Sequence, residues 1–207
     1  FFDFGRHPLS DAFLLPEEIA DEFFYRLAVG VCKSCTMVQL TEEVPRDRMF
    51  REDYPYQSSM SSGMRDHFTR TAHQLMEERC HGADPFVVEI GCNDGVMLKT
   101  VAESGIRHLG VDPSRDVVEL AADKGVQVLV DFFQRSTAAQ IKEEHGPADV
   151  IYAANTICHI PYLDSVFEGV DTLLTPDGVF VFEDPYLGDV IERTSFDQIY
   201  DEHFYLF

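Results

Sequence analysis

The stretch Val87-Val88-Glu89-Ile90-Gly91-Cys92-Asn93-Asp94-Gly95 decides how this chain is read. An apolar run ends in an acid, a glycine-rich turn follows, and a helical pattern begins after it. Strand, glycine turn and helix bring a backbone close to a nucleotide-like ligand. A second apolar run, Leu109-Gly110-Val111, ends in Asp112. An acid at that strand tip accepts hydrogen bonds from ribose hydroxyls. The pattern Glu-x-Gly-x-x-x-Gly departs from the dinucleotide fingerprint, and its last glycine is not directly followed by the Lys-Ser/Thr that a nucleoside triphosphate needs. The expected ligand is an adenosyl group without a phosphate chain, namely S-adenosylmethionine.

Outward from that turn, strands are expected at 86–90, 108–111, 126–130, 150–153 and 179–183. Helices are expected at 95–103, 115–124, 137–144 and 163–174. Gly105, Gly125, Gly146 and Pro176-Asp177-Gly178 supply stops and turns. This alternation predicts an α/β fold, a doubly wound, Rossmann-like parallel sheet with ligands at the strands' carboxyl ends. Those ends present Glu89, Gly91, Asn93 and Gly95; Asp112; Asp131, Phe132 and Phe133; and Asn155. An acid at 131 suits the adenine amino group, and an aromatic beside it suits the ring face.

Residues 1–56 read as a separate small, β-rich unit, and residues 57–207 as the sheet domain. Two short strands, 24–31 and 36–40, flank Cys32-Lys33-Ser34-Cys35. Two thiolates at Cys-x-x-Cys spacing bind one zinc from a tight turn, but a structural site needs four ligands. The residues leave two readings open: a knuckle completed outside this sequence, or an unmetallated pair. A helical pattern from Met64 through Phe68, Ala72 and Leu75 joins the two units.

The formal charge of −21 argues against nucleic acid as a partner. No apolar run reaches the roughly 20 residues of a membrane span, and the first residues lack the pattern of a signal peptide. Five cysteines, an odd count, suit a reducing, cytoplasmic setting.

Tyr200 and His203 are three apart, so on a helix they share a face. A tyrosine hydroxyl and an imidazole aimed at one point suit proton abstraction beside a carbonyl. His159 follows the fourth strand, and Tyr54-Pro55-Tyr56 lies between the units.

Several motifs together resemble the sugar C-methyltransferases of deoxysugar biosynthesis. They are Leu9 to Phe13, Cys32-x-x-Cys35, Asp53-Tyr54-Pro55-Tyr56-x-Ser58-Ser59, Glu89 to Gly95, Asn155 to His159, and Tyr200 to Phe204. The resemblance covers nearly the whole sequence. It implies a class I methyltransferase sheet behind a zinc-binding module, with S-adenosylmethionine as methyl donor. Cys32 and Cys35 would be half of a four-cysteine structural zinc site whose other pair precedes Phe1. His203 matches the family's base, and Tyr200, Glu202, His159 and Tyr54 match its other active-site positions. The implied substrate is a nucleotide-linked 4-keto-deoxysugar of antibiotic biosynthesis, with dTDP as the nucleotide, methylated at C-3 through an enolate. The alternatives are a methyltransferase for another small acceptor and a non-catalytic zinc-ribbon, ligand-binding protein.

Overall fold

Val87 to Ile90 lie in the middle of a parallel sheet, and every residue of that strand is buried. A strand covered on both faces carries an unbroken apolar run instead of alternation. The computed structural model describes residues 1–51 and 54–207. Asp53, part of the Asp-Tyr-Pro-Tyr stretch, lies outside the described residues.

In chain order the elements are β1 (Phe2–Pro8), β2 (Phe24–Val31), β3 (Val38–Leu40), the single turn α1 (Arg46–Met49) and α2 (Ser62–Arg79). Next come β4 (Phe86–Ile90), α3 (Leu98–Glu103), β5 (Arg107–Val111), α4 (Arg115–Asp123) and β6 (Val128–Leu129). The chain continues through α5 (Arg135–His145), β7 (Ala148–Ala154), α6 (Leu163–Leu173), β8 (Leu174–Glu183), α7 (Leu187–Arg193) and β9 (Tyr205–Leu206).

The chain packs as two compact units that are not continuous in sequence. One comprises 1–50, 155–161 and 184–207; the other comprises 51–154 and 162–183. The discontinuity differs from a linear division near residue 56 and has a hydrogen-bonding cause. β9 at the end of the chain pairs antiparallel with β3, extending a four-stranded sheet ordered β1-β2-β3-β9. Leu40 N donates to Phe204 O at 2.9 Å in the same seam. Tyr25, Leu27, Val29, Leu40 and Val44 form this unit's buried core.

The larger unit holds a five-stranded parallel sheet in the order β6-β5-β4-β7-β8. Strand order reverses direction at β4, the place where open α/β sheets receive ligands. Phe68, Ala72 and Leu75 of α2 are buried in the core with Val87, Met97, Leu98 and Tyr152. Ser61 caps α2, its hydroxyl accepting from Met64 N at 3.3 Å. The sequence expectation for this unit is met in order and type, with displaced ends. α3 begins at Leu98 instead of Gly95, because Gly91 to Gly95 are consumed by the turn. β6 keeps only Val128 and Leu129 of the expected 126–130. β8 starts earlier: Leu174 pairs with Ala148, and the register shifts before Val179 pairs with Val150. Among the described residues no helix is long and apolar enough to cross a membrane.

Candidate active site

The loop after β4 is tied down by its own polar groups. Gly91 (φ 71°), Asn93 (φ 47°) and Gly95 (φ 72°) all occupy the left-handed region, which asparagine tolerates better than most side chains. Asn93 N donates to Asp112 Oδ2 at 3.0 Å, and Ser114 N donates to Asp112 Oδ1 at 2.9 Å. The carboxylate at the tip of β5 therefore fixes two loops, and each oxygen retains a lone pair. Burial raises Asp112 above the usual carboxylate value, opposed by these backbone donors. Asn93 Oδ1 accepts from Ser58 N at 2.9 Å while its Nδ2 donates to Tyr56 O at 3.0 Å. Asp94 is fully buried and pairs with Lys124 at 2.9 Å.

Gly95 serves packing as well as conformation. A Cβ there would sit 2.8 Å from Ala121 Cβ, so α4 fills that space. Gly110 behaves likewise: its missing Cβ makes room for Cys92 Sγ, 2.5 Å from where that atom would be. Glu89 is 3% exposed, and its Oε2 has no hydrogen-bond partner. Burial first, then the charges of Asp112 and Asp94, hold its carboxyl well above the usual range.

After β6, Asp131 Oδ1 accepts from Phe132 N at 2.8 Å and Oδ2 from Thr137 Oγ1 at 2.9 Å. The two phenylalanines divide. Phe132 is half-buried, whereas Phe133 is buried with its ring edge toward Gly169 of α6. Phe133 thus packs against α6, and the two rings sit in different surroundings.

The second constellation lies in the discontinuous unit. His203 is 3% exposed, and its Nδ1 lies 2.8 Å from Gln198 O. A carbonyl only accepts, so Nδ1 carries the proton and Nε2 keeps its lone pair. Tyr200 Oη, 3.2 Å from Nε2, is then the donor in that contact. Burial pushes His203 below the ordinary histidine value, partly offset by the Gln198 hydrogen bond. Burial, then the charge of Glu202, pushes the Tyr200 hydroxyl up. The pair meets without a helix. Residues 200–203 form a turn closed by His203 N to Tyr200 O at 3.2 Å, and the turn's i,i+3 geometry does what a helical face would do.

His159 stacks on both sides, on His203 at 5.3 Å and 25° and on Phe50 at 5.6 Å and 16°. Burial, then the neighbouring His203, lowers its pKa to about 3, so the ring is neutral at physiological pH. Its Nε2 is buried without a hydrogen-bond partner. Glu202 is buried in the same turn, and Asp201 beside it accepts from Ser10 N at 3.2 Å, a staple within the unit. Asn155 (φ 47°) belongs to this unit; its Oδ1 lies 3.9 Å from Cys158 Sγ. Tyr54 is half-buried in the segment ahead of α2. Phe50, Gln198 and Cys158 are neighbours that sequence reading missed. Gln198 contributes only a carbonyl, which no sequence pattern reports, and Phe50 lies far away in the chain.

Cys32 and Cys35 sit in a tight turn, where Cys32 N donates to Met37 O at 2.8 Å and Thr36 N to Cys32 O at 2.9 Å. Backbone N–H groups of Cys35 and Ser34 point at the Cys32 sulfur and hold its thiol below the usual range. That donor set fits two thiolate ligands of a zinc knuckle.

Known proteins share both parts. Residues 1–50 match a family described as "Putative zinc binding domain", and residues 56–206 match "Methyltransferase domain". C-methyltransferase NovU of Streptomyces niveus is 33% identical over 205 residues, covering 99% of this chain and 49% of that protein. The chain thus spans about half the length of this curated relative. A methyltransferase dependent on S-adenosylmethionine from Archaeoglobus fulgidus shares the fold with a TM-score of 0.51 at 18% identity, over 64% of this chain and 58% of that one. The PH0226 protein of Pyrococcus horikoshii gives 0.52 at 21% identity, over 71% and 66%. The parallel sheet, the glycine turn after its central strand and the match over residues 56–206 agree: the chain belongs to the S-adenosylmethionine-dependent methyltransferase family.

Proposed function

We propose that this chain carries the cofactor-binding and proton-abstracting parts of an enzyme that methylates C-3 of a nucleotide-linked 4-keto-deoxysugar, with dTDP as the nucleotide, in antibiotic deoxysugar biosynthesis. The observation that carries the reading is the buried, neutral His203 with its tautomer set by Gln198 O and its Nε2 lone pair beside Tyr200 Oη. Methylating an oxygen demands little of a base, whereas methylating carbon next to a ketone demands one that removes a C–H proton. The similarity to a C-methyltransferase over nearly the whole chain supports the carbon acceptor.

Glu89, Gly91, Asn93, Gly95, Asp112, Asp131, Phe132, Phe133 and Asn155 are the residues we assign to S-adenosylmethionine. When bound, that cofactor supplies an electrophilic methyl on a sulfonium. Asp112 accepts from the ribose hydroxyls, Asp131 accepts from the adenine amino group, and Phe132 covers the ring. In the acceptor's reaction, His203 Nε2 takes the C-3 proton. The oxygen of the resulting enolate needs donors, and Tyr200 and His159 are the two we assign. Glu202 and Tyr54 position the sugar. Zinc on Cys32 and Cys35, with two further ligands, stiffens the amino-terminal module and takes no part in the transfer.

A His203→Asn variant is expected to lose methyl transfer to dTDP-4-keto-deoxysugars by about 10³-fold or more. Its affinity for S-adenosylmethionine should change by less than about threefold, because Asp112 and the loop after β4 are untouched. Exchange of the C-3 proton with deuterated solvent, measured without cofactor, should disappear in the same variant. Near-normal turnover or exchange in the variant would remove His203 from this role.

A further inference from the structure

We propose that Cys158, His159 and His203 form a binding site for one soft divalent cation, zinc by preference, separate from the Cys32–Cys35 turn. One ligand atom from each of the three residues lies within 4.8 Å of the other two, and all three residues are buried. A thiolate and two imidazoles are the donor set zinc prefers, with a water completing the fourth position. Zinc–sulfur and zinc–nitrogen bonds in tetrahedral geometry put ligand atoms roughly 3.5 Å apart. The donors here must therefore converge by about 1.3 Å at most, a movement side-chain rotation supplies.

Two further observations point to a ligand. His203 donates Nδ1–H to the Gln198 carbonyl at 2.8 Å, the outer support that ligating histidines commonly have, and this leaves Nε2 with the lone pair for a ligand. His159 Nε2 is buried with no hydrogen-bond partner, an unmet polar atom that a cation satisfies. All three residues come from the same compact unit, from 155–161 and 184–207. Binding forms one Zn–S and two Zn–N bonds. The Cys158 thiol releases its proton to solvent, both imidazoles enter neutral, and the Tyr200 Oη to Nε2 hydrogen bond breaks.

The consequence rests on the proposed role of His203. A cation on Nε2 occupies the lone pair that removes the C-3 proton, so bound metal and methyl transfer exclude one another. Zinc is then a reversible inhibitor of this enzyme, not its helper.

Cobalt(II) titration of the protein with its amino-terminal module already loaded with zinc tests the site. Wild type is expected to take up one further equivalent, with the visible bands of tetrahedral cobalt and a thiolate charge-transfer band. Cys158→Ala should lose that charge-transfer band, and Cys35→Ala should keep it. Cys158→Ser, which preserves size, guards against a folding defect, and S-adenosylmethionine binding by both position-158 variants reports an intact fold. Identical cobalt spectra in wild type and folded Cys158→Ala would overturn the site. In the activity arm, zinc should inhibit wild type at least tenfold more tightly than Cys158→Ala, each scaled to its own metal-free rate. Equal inhibition would overturn the exclusion. A cobalt signal from a protein that never methylates a keto sugar would leave the metal site standing and sink the sugar reading instead.

Discussion

The loop after β4 and the turn that ends in His203 are both poor in solvent, yet they are built in opposite ways. In the loop, polar atoms have partners: Asn93 uses its backbone N–H, Oδ1 and Nδ2, and both Asp112 oxygens hold backbone donors. At the turn, His203 and the His159 ring stacked on it are buried without charge, and His159 Nε2 has no hydrogen-bond partner. The first arrangement lowers the cost of ordering a ligand, because the cradle exists before the ligand arrives. The second keeps basic groups from being neutralised by protonation, so a lone pair remains for chemistry. On the proposed assignment, the loop's binding groups are satisfied, Glu89 Oε2 at the end of β4 excepted, and the reactive groups are restrained.

The comparison breaks most visibly if the loop is not rigid. Gly95→Ala puts a Cβ at φ 72° and 2.8 Å from Ala121 Cβ. Backbone strain and overpacking together should cost about 3 kcal/mol in urea unfolding of the sheet unit. A loss below about 1 kcal/mol would mean that the loop yields, and the cradle argument would go with it.

Asp112→Asn is the next largest. An amide has one acceptor oxygen, so either Asn93 N–H or Ser114 N–H is left facing an NH₂ group. The affinity for S-adenosylmethionine should drop on the order of tenfold to hundredfold, read by calorimetry. Unchanged affinity would separate the loop's internal bonding from ligand binding altogether.

The two regions also differed in how far the sequence revealed them. β4, its glycine turn and Asp112 are contiguous pieces whose residue types carry their own geometry, so the motif reads directly as structure. Phe86, Val87, Val88 and Ile90 are apolar because both faces of the strand are covered, and Glu89 is its one acid. The His203 cluster is assembled from segments around 50, 159 and 200; resemblance gathered the last two, and nothing in the sequence pointed to Phe50. Its true contacts include a backbone carbonyl at 198 and a ring at 50, neither of which spacing encodes. β1 and β9 escaped for a related reason. β1 carries Gly5, Arg6 and Pro8 on a largely exposed strand, and β9 is two residues long, specified by its partner β3.

The buried imidazoles sharpen the comparison through pH. His159 titrates near ~6.5 in the unfolded chain but only at about 3 when folded. Between those values the unfolded chain holds a proton that the folded one refuses. The group's stability contribution is therefore complete above ~6.5 and is lost as pH falls. Wild type should lose about 2 kcal/mol more than His159→Phe between pH 7.5 and 5. The phenyl ring preserves the stack, and carboxyls common to both proteins cancel in the difference. A pH-independent difference would place a charged imidazole in that stack.

The smallest effect probes the far edge of the cradle. Thr137 Oγ1 lies 2.9 Å from both Asp131 Oδ2 and Phe132 O. One hydroxyl proton is shared between two acceptors, so Thr137→Val removes about one hydrogen bond, worth about 1 kcal/mol. Asp131 Oδ1 still accepts from Phe132 N at 2.8 Å, and Oδ2, on a half-buried side chain, turns to water. Cofactor affinity should then change by less than about threefold. If it falls tenfold instead, the acid after β6 depends on its own support as strictly as Asp112 does. The satisfied cradle would then extend across the whole width from β5 to β6, instead of residing in the turn after β4.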